Sequence, residues 1–159
     1  MKLQAHGIET DLQPGWEGRI ALTAAPTGTS RALGTREEQR NPVVHLANFA
    51  LPEGRGDFGS GAVDVMGAAN VLVVLFEYGP ECAGTPLFAR QGIPTDLSPR
   101  MFSASALQRT IAGQAGCQIF FTDHGRAFCC YAVLGRQAAA TRLLPAAHAQ
   151  LANTRILPS

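Results

Sequence analysis

The chain has 159 residues, 46% of them hydrophobic and 16% charged, with a formal net charge of +1. That length buries one continuous core and that composition is too apolar for a disordered chain, so a single α+β domain over 1–159 is expected. One lysine, Lys2, and singly spread arginines argue against the basic face of a nucleic-acid binder. No apolar run reaches signal-peptide length or the roughly 20 residues of a transmembrane segment, so the expected location is cytoplasmic.

Residues 8–12 alternate apolar and polar, Pro14 and Gly15 interrupt, and 19–23 resume an extended pattern. This predicts a hairpin between those two segments, with Trp16 near its bend. Residues 25–42 are rich in Pro, Gly, Thr, Ser and charge, which predicts a flexible surface loop, functional or simply loose. Residues 43–51 read as a strand, and 62–69 carry small and apolar residues at helical spacing. In 71–78, Val71, Val73 and Leu75 fall on one face and Leu72, Val74 and Phe76 on the other, the pattern of a central strand covered on both sides.

Residues 79–100, with four prolines and three glycines, read as irregular structure with at most a turn or two of helix. Ser103 is placed to cap a short helix through Thr110, with Ala106, Leu107 and Ile111 facing inward. The clearest local signal is His124-Gly125 between two apolar runs, 116–123 and 126–134, which suits a two-residue hairpin turn with both residues at positive φ. That register sets Phe121 against Phe128, Ile119 against Cys130 and Cys117 against Ala132 on one face. The other face carries Phe120 with Cys129 and Gln118 with Tyr131. Residues 141–154, with Pro145 early and Leu144, Ala147, His148 and Leu151 on one stripe, predict an amphipathic helix, followed by a short tail strand at 155–157. The resulting expectation is a mainly antiparallel sheet flanked by helices, like an α/β/α sandwich.

Several residue groups invite a chemical reading. Gly54, Gly56 and Gly59 form a G-x-G-x-x-G pattern after a strand and before a helix, with Glu77 at the end of the next strand. In a dinucleotide-binding unit such glycines let backbone N–H groups approach a pyrophosphate. The candidate helix, about nine residues with Gly67 inside it, is short for a crossover to a parallel strand, which takes about a dozen, so a plain glycine turn is the competing reading. Cys129 and Cys130, with His124 and Asp123 nearby, could suggest a thiol site, but neighbouring strand residues point to opposite faces, which favours buried structural cysteines. His6, His45, His124 and His148 lie on separate elements without metal-ligand spacing. Asp64, Glu77 and Glu81 are close in sequence only, and read as solvated strand ends and loops. No catalytic, cofactor-binding or metal-binding residue is assigned, and no cofactor is called for.

Residues 8–16, IETDLQPGW, resemble the start of PsbP-like proteins, and 143–156 resemble their closing helix and strand. The resemblance covers about a quarter of the chain, which lacks that group's export signal and carries the 54–61 glycine turn instead. It implies an α/β/α sandwich around an antiparallel sheet and a role in binding or stabilising a larger assembly, without catalytic residues. The middle, with 75–80 (LFEYGP) and 125–131 (GRAFCCY), is similar in style to an uncharacterised bacterial family and implies no function.

Recognisable signals therefore fall on a sheet core rather than on a reactive constellation. This favours a non-catalytic protein-interaction or scaffold module, an accessory subunit that binds other proteins or further copies of itself. Its expected contact residues are Pro80, Leu87, Phe88 and Ile93 in the irregular segment and Tyr131 on the mixed sheet face. The alternative is a small-ligand or nucleotide-binding enzyme using the 54–59 turn.

Overall fold

The computed structural model describes residues 1–23 and 40–158. The loop expected over 25–42 lies outside the described residues except for 40–42, and Pro42 already opens a strand.

The chain begins with β1 (Lys2–Ala5) and β2 (Ile8–Asp11), an antiparallel hairpin turning on His6 and Gly7 at φ 51° and 73°. The expected pairing of this stretch with 19–23 does not form. Asp11 passes instead into a turn closed by Trp16 N–H donating to the Gln13 carbonyl at 3.0 Å, which carries β3 (Glu17–Leu22) into a second sheet against β4 (Pro42–Ala47). After a four-residue helix α1 (Ser60–Val63), β5 (Val71–Glu77) pairs antiparallel with β4. The long hairpin of β6 (Ala115–Asp123) and β7 (Arg126–Leu134) completes five strands in the order β3-β4-β5-β7-β6. Helix α2 (Ala140–Ala152) then leads to β8 (Thr154–Ile156), which pairs with β2 in a three-stranded sheet β1-β2-β8. The fold is mixed α+β, mostly antiparallel sheet with few helices.

The β6–β7 register follows the expectation, with Phe121 opposite Phe128 and Gln118 opposite Tyr131. His124 and Gly125 take φ 49° and 75°, as a type I′ turn requires. Strand β5 is central, and its two faces belong to two separate apolar clusters. Val71, Val73 and Leu75 pack with Phe121, Phe128, Leu144, Leu151 and Ile156 on the inner face, under α2 and the small sheet. Leu72 and Val74 join Val43, Val63, Leu107 and Tyr131 on the outer face.

Two polar clusters join the sheets. Gln150 on α2 is fully buried; its amide donates to the Thr10 hydroxyl at 3.0 Å and the Asp11 carbonyl at 2.9 Å, and its Oε1 accepts from Gln13 N–H at 3.0 Å. Arg126, only 7% exposed, grips Glu77 with Nε and Nη2 at 2.9 and 2.7 Å. Its remaining donors reach the carbonyls of His6, Gly7 and Leu157 at 2.9, 3.0 and 3.2 Å. One guanidinium has five N–H donors, and all are used here to tie the large sheet to the first hairpin and the tail.

Two expected helices are shorter than their spacing suggests. Residues 62–69 turn helically only in α1, before Gly67. Ser103 does cap, its hydroxyl accepting from Ser105 N–H at 3.2 Å, but the helix is a single 3-10 turn, Ala104–Ala106. At Leu107 the backbone is extended again, φ −77° and ψ 146°, because its side chain packs into the outer cluster instead of along a helix face.

Candidate functional site

The inner face of the large sheet is closed by α2 and the small sheet; the outer face is covered only by short pieces. The 54–59 turn with α1 lies over β4 and β5, and the 104–111 segment over β7 and β6. A cavity of about 200 Å³ opens between them, walled by Phe58, Ser60, Val63, Leu107 and Ile111, with Tyr131 also lining it. Asp64 and Arg109, which also line it, form an exposed ion pair. Tyr131 is 2% exposed, and burial raises its phenol above the usual range against a hydrogen bond from the Gln108 backbone. The cavity wall is thus mixed, apolar and aromatic through Phe58, Val63, Leu107, Ile111 and Tyr131 and polar through Ser60, Gln108 and the Asp64–Arg109 pair.

From Phe58 an aromatic strip runs along the sheet. Phe58 stacks on Phe76 with centroids 4.5 Å apart; Phe76 leans on Tyr78 at 5.3 Å, and Tyr78 meets Phe88 and Phe120 at 5.3 and 6.2 Å. Phe58, Phe76, Tyr78 and Phe120 are each only half-buried. Such pairs add about 1 kcal/mol each beyond area burial, so the rings support one another while remaining partly accessible.

The expected contact residues divide across the molecule. Leu87 is 61% exposed and Pro80 is exposed. Phe88, 4% exposed, lies under the strip between Tyr78 and Phe120, and Tyr131 lines the cavity. Ile93 packs against the opposite, inner cluster. The structure therefore brings Phe88 and Tyr131 to one face and places Ile93 on the other. Phe58, Val63, Leu107 and Ile111 complete the cavity. Their sequence signal was partial: Leu107 and Ile111 read as inward-facing, but of a helix that does not form.

The glycine turn is folded onto its own neighbourhood. His45, 3% exposed, donates from Nε2 to the Asp57 carbonyl at 2.9 Å, while its Nδ1 accepts from Arg55 Nε at 3.0 Å. That pairing requires the neutral imidazole, and burial lowers its pKa from 6.5 to about 4. Gly59 sits at φ 76°, and a Cβ there would come within 2.9 Å of Leu72. Because β4 and β5 are adjacent and antiparallel, the strand-helix-strand crossover of a dinucleotide-binding unit does not form around these glycines.

Burial pushes the Cys129 thiol up to about 12 and that of Cys130 higher still. The His148 ring meets the Leu97 carbonyl at 2.7 Å, and His124 pairs with Asp123 in the exposed turn. Among the described residues no group of three or more His, Cys, Asp or Glu is placed to hold a metal ion, and no helix is long and apolar enough to cross a membrane. Compared with models of known protein families, with curated proteins and with solved structures, the chain matches none.

Proposed function

We propose that this protein is a non-catalytic interaction module, an accessory subunit that docks a partner protein on the outer face of its large sheet and seats one apolar or aromatic side chain in the cavity beside Tyr131. The observation that carries this reading is the asymmetry of the two sheet faces. One is covered by α2 and the small sheet; the other, covered only by short segments, presents a preformed cavity with an apolar and aromatic side continuous with a half-buried aromatic strip. Rigid aromatic surface lowers the entropy lost on binding, and a pocket gives one anchor residue a large share of the energy. The histidines and cysteines support the same reading, since His45, His148, Cys129 and Cys130 are occupied by packing and internal hydrogen bonds.

The test is cross-linking and copurification of the native protein, followed by mass spectrometry, with Ile111→Glu set against Met101→Ala. A glutamate at the cavity wall abolishes recovery of the partner, whereas Met101, exposed and outside the cavity lining, is replaceable. Recovery of the same partner by both variants would remove the outer face from the account.

A further inference from the structure

A second feature lies at the other end of the outer face. One row of directly paired positions crosses the sheet there as Arg19, His45, Val74 and Tyr131. Arg19 faces His45 across the strand pair, its Nη1 fixed to the Gly18 carbonyl at 2.8 Å. Arg55 reaches the same imidazole from the glycine turn, with Nε on His45 Nδ1 at 3.0 Å and Nη1 on the Pro52 carbonyl at 3.1 Å. Arg55 therefore bonds the neutral imidazole while Arg19 stands opposite it on the neighbouring strand, each guanidinium oriented by uncharged acceptors.

Of the surrounding acids, the Asp57 carboxylate is near enough to raise the His45 pKa against the effect of burial. Among the described residues neither arginine has a carboxylate within ion-pair distance. The Glu17 carboxylate accepts from Leu51 N–H at 2.6 Å, and Asp57 holds the far side of His45 through its carbonyl and has another partner of its own. After burial, the nearness of Arg19 is what lowers the Arg55 pKa. Like charges held together without an ion-pair partner cost free energy that an anion would offset. Each guanidinium keeps unused donors: of five N–H groups, Arg55 uses two and Arg19 one in these bonds.

We propose that Arg19 and Arg55 form a two-pronged anion site beside the 54–59 turn, for inorganic phosphate or the phosphate of a small monoester. Two fixed cations match a dianion with several acceptor oxygens better than a single carboxylate. Neither arginine lines the cavity beside Tyr131, so the proposal stands or falls apart from the docking reading.

Thermal unfolding at pH 7 tests it, with sodium phosphate compared with sodium chloride at matched ionic strength. Phosphate is expected to raise Tm saturably, by a few degrees at about 10 mM, because a ligand that binds only the folded state stabilises it. Arg19→Gln is the decisive variant, since the side-chain hydrogen bond it loses is to the adjacent Gly18 carbonyl; it removes the rise, while Arg142→Gln, exposed on α2, keeps it. Arg55→Gln also loses the rise, and chemical-shift changes centred on Arg19, His45 and Arg55 in the wild type make the result independent of how well that variant folds. A larger rise with glycerol phosphate than with phosphate identifies a monoester ligand, and an equal rise identifies free phosphate. No difference from chloride, a full rise in Arg19→Gln, or an equal rise with acetate would overturn the proposal.

Discussion

Arg126 shows how much one side chain can organise. It is buried and meets a carboxylate and three carbonyls from three separated stretches of chain. Removing it leaves the mostly buried Glu77 carboxylate without its partner, so Arg126→Met is expected to cost about 3–5 kcal/mol, read as a lower midpoint of urea unfolding. His45 makes a different kind of contribution. Its folded-state pKa, about 4, lies below the ordinary 6.5, so between those values the unfolded chain takes up a proton that the folded chain refuses. Its contribution is complete above pH 6.5 and declines as the pH falls toward 4, by about 3 kcal/mol over the whole window. Urea midpoints measured across that range should fall more steeply for the wild type than for His45→Gln; parallel curves would show that the imidazole is not held neutral.

Elements were legible where local chemistry agreed with the sheet. His124-Gly125 named its own turn and thereby the entire β6–β7 register, and the alternation of 71–76 placed β5 in the centre. His6-Gly7 carries the same turn signal at positive φ, and it outweighs the Pro14-Gly15 break that pointed to a β2–β3 hairpin. Less could be read where tertiary packing overrode spacing. Leu107 leaves its helical turn to fill the outer cluster, and the cavity it borders is assembled from α1, β7 and a loop that no linear pattern connects. The same contrast separates two glycine substitutions. Gly125→Ala adds only the backbone cost of a left-handed residue, about 1–2 kcal/mol, since nothing lies within 4 Å of its Cβ. Gly59→Ala at φ 76° adds a 2.9 Å approach to Leu72 and should destabilise more in the same unfolding assay; equal losses would mean that the turn does not press on β5.

At the scale of the molecule, the organising fact is that one sheet separates a side covered by a helix and a second sheet from a side covered only by short segments. The inner side is closed by α2, the small sheet and the polar ties of Gln150 and Arg126. The outer side ends in the cavity beside Tyr131 and the strip from Phe58 to Phe120. Sequence could indicate that Tyr131 lay on a mixed face, but not that short coverings would leave room above it. Titrating the isotope-labelled protein with p-cresol, the side-chain analogue of tyrosine, and following its NMR spectrum tests this most directly. The account predicts saturable shifts centred on Phe58, Val63, Leu107, Ile111 and Tyr131, lost in Ile111→Glu; shifts centred on α2 or the small sheet, or none at all, would contradict it.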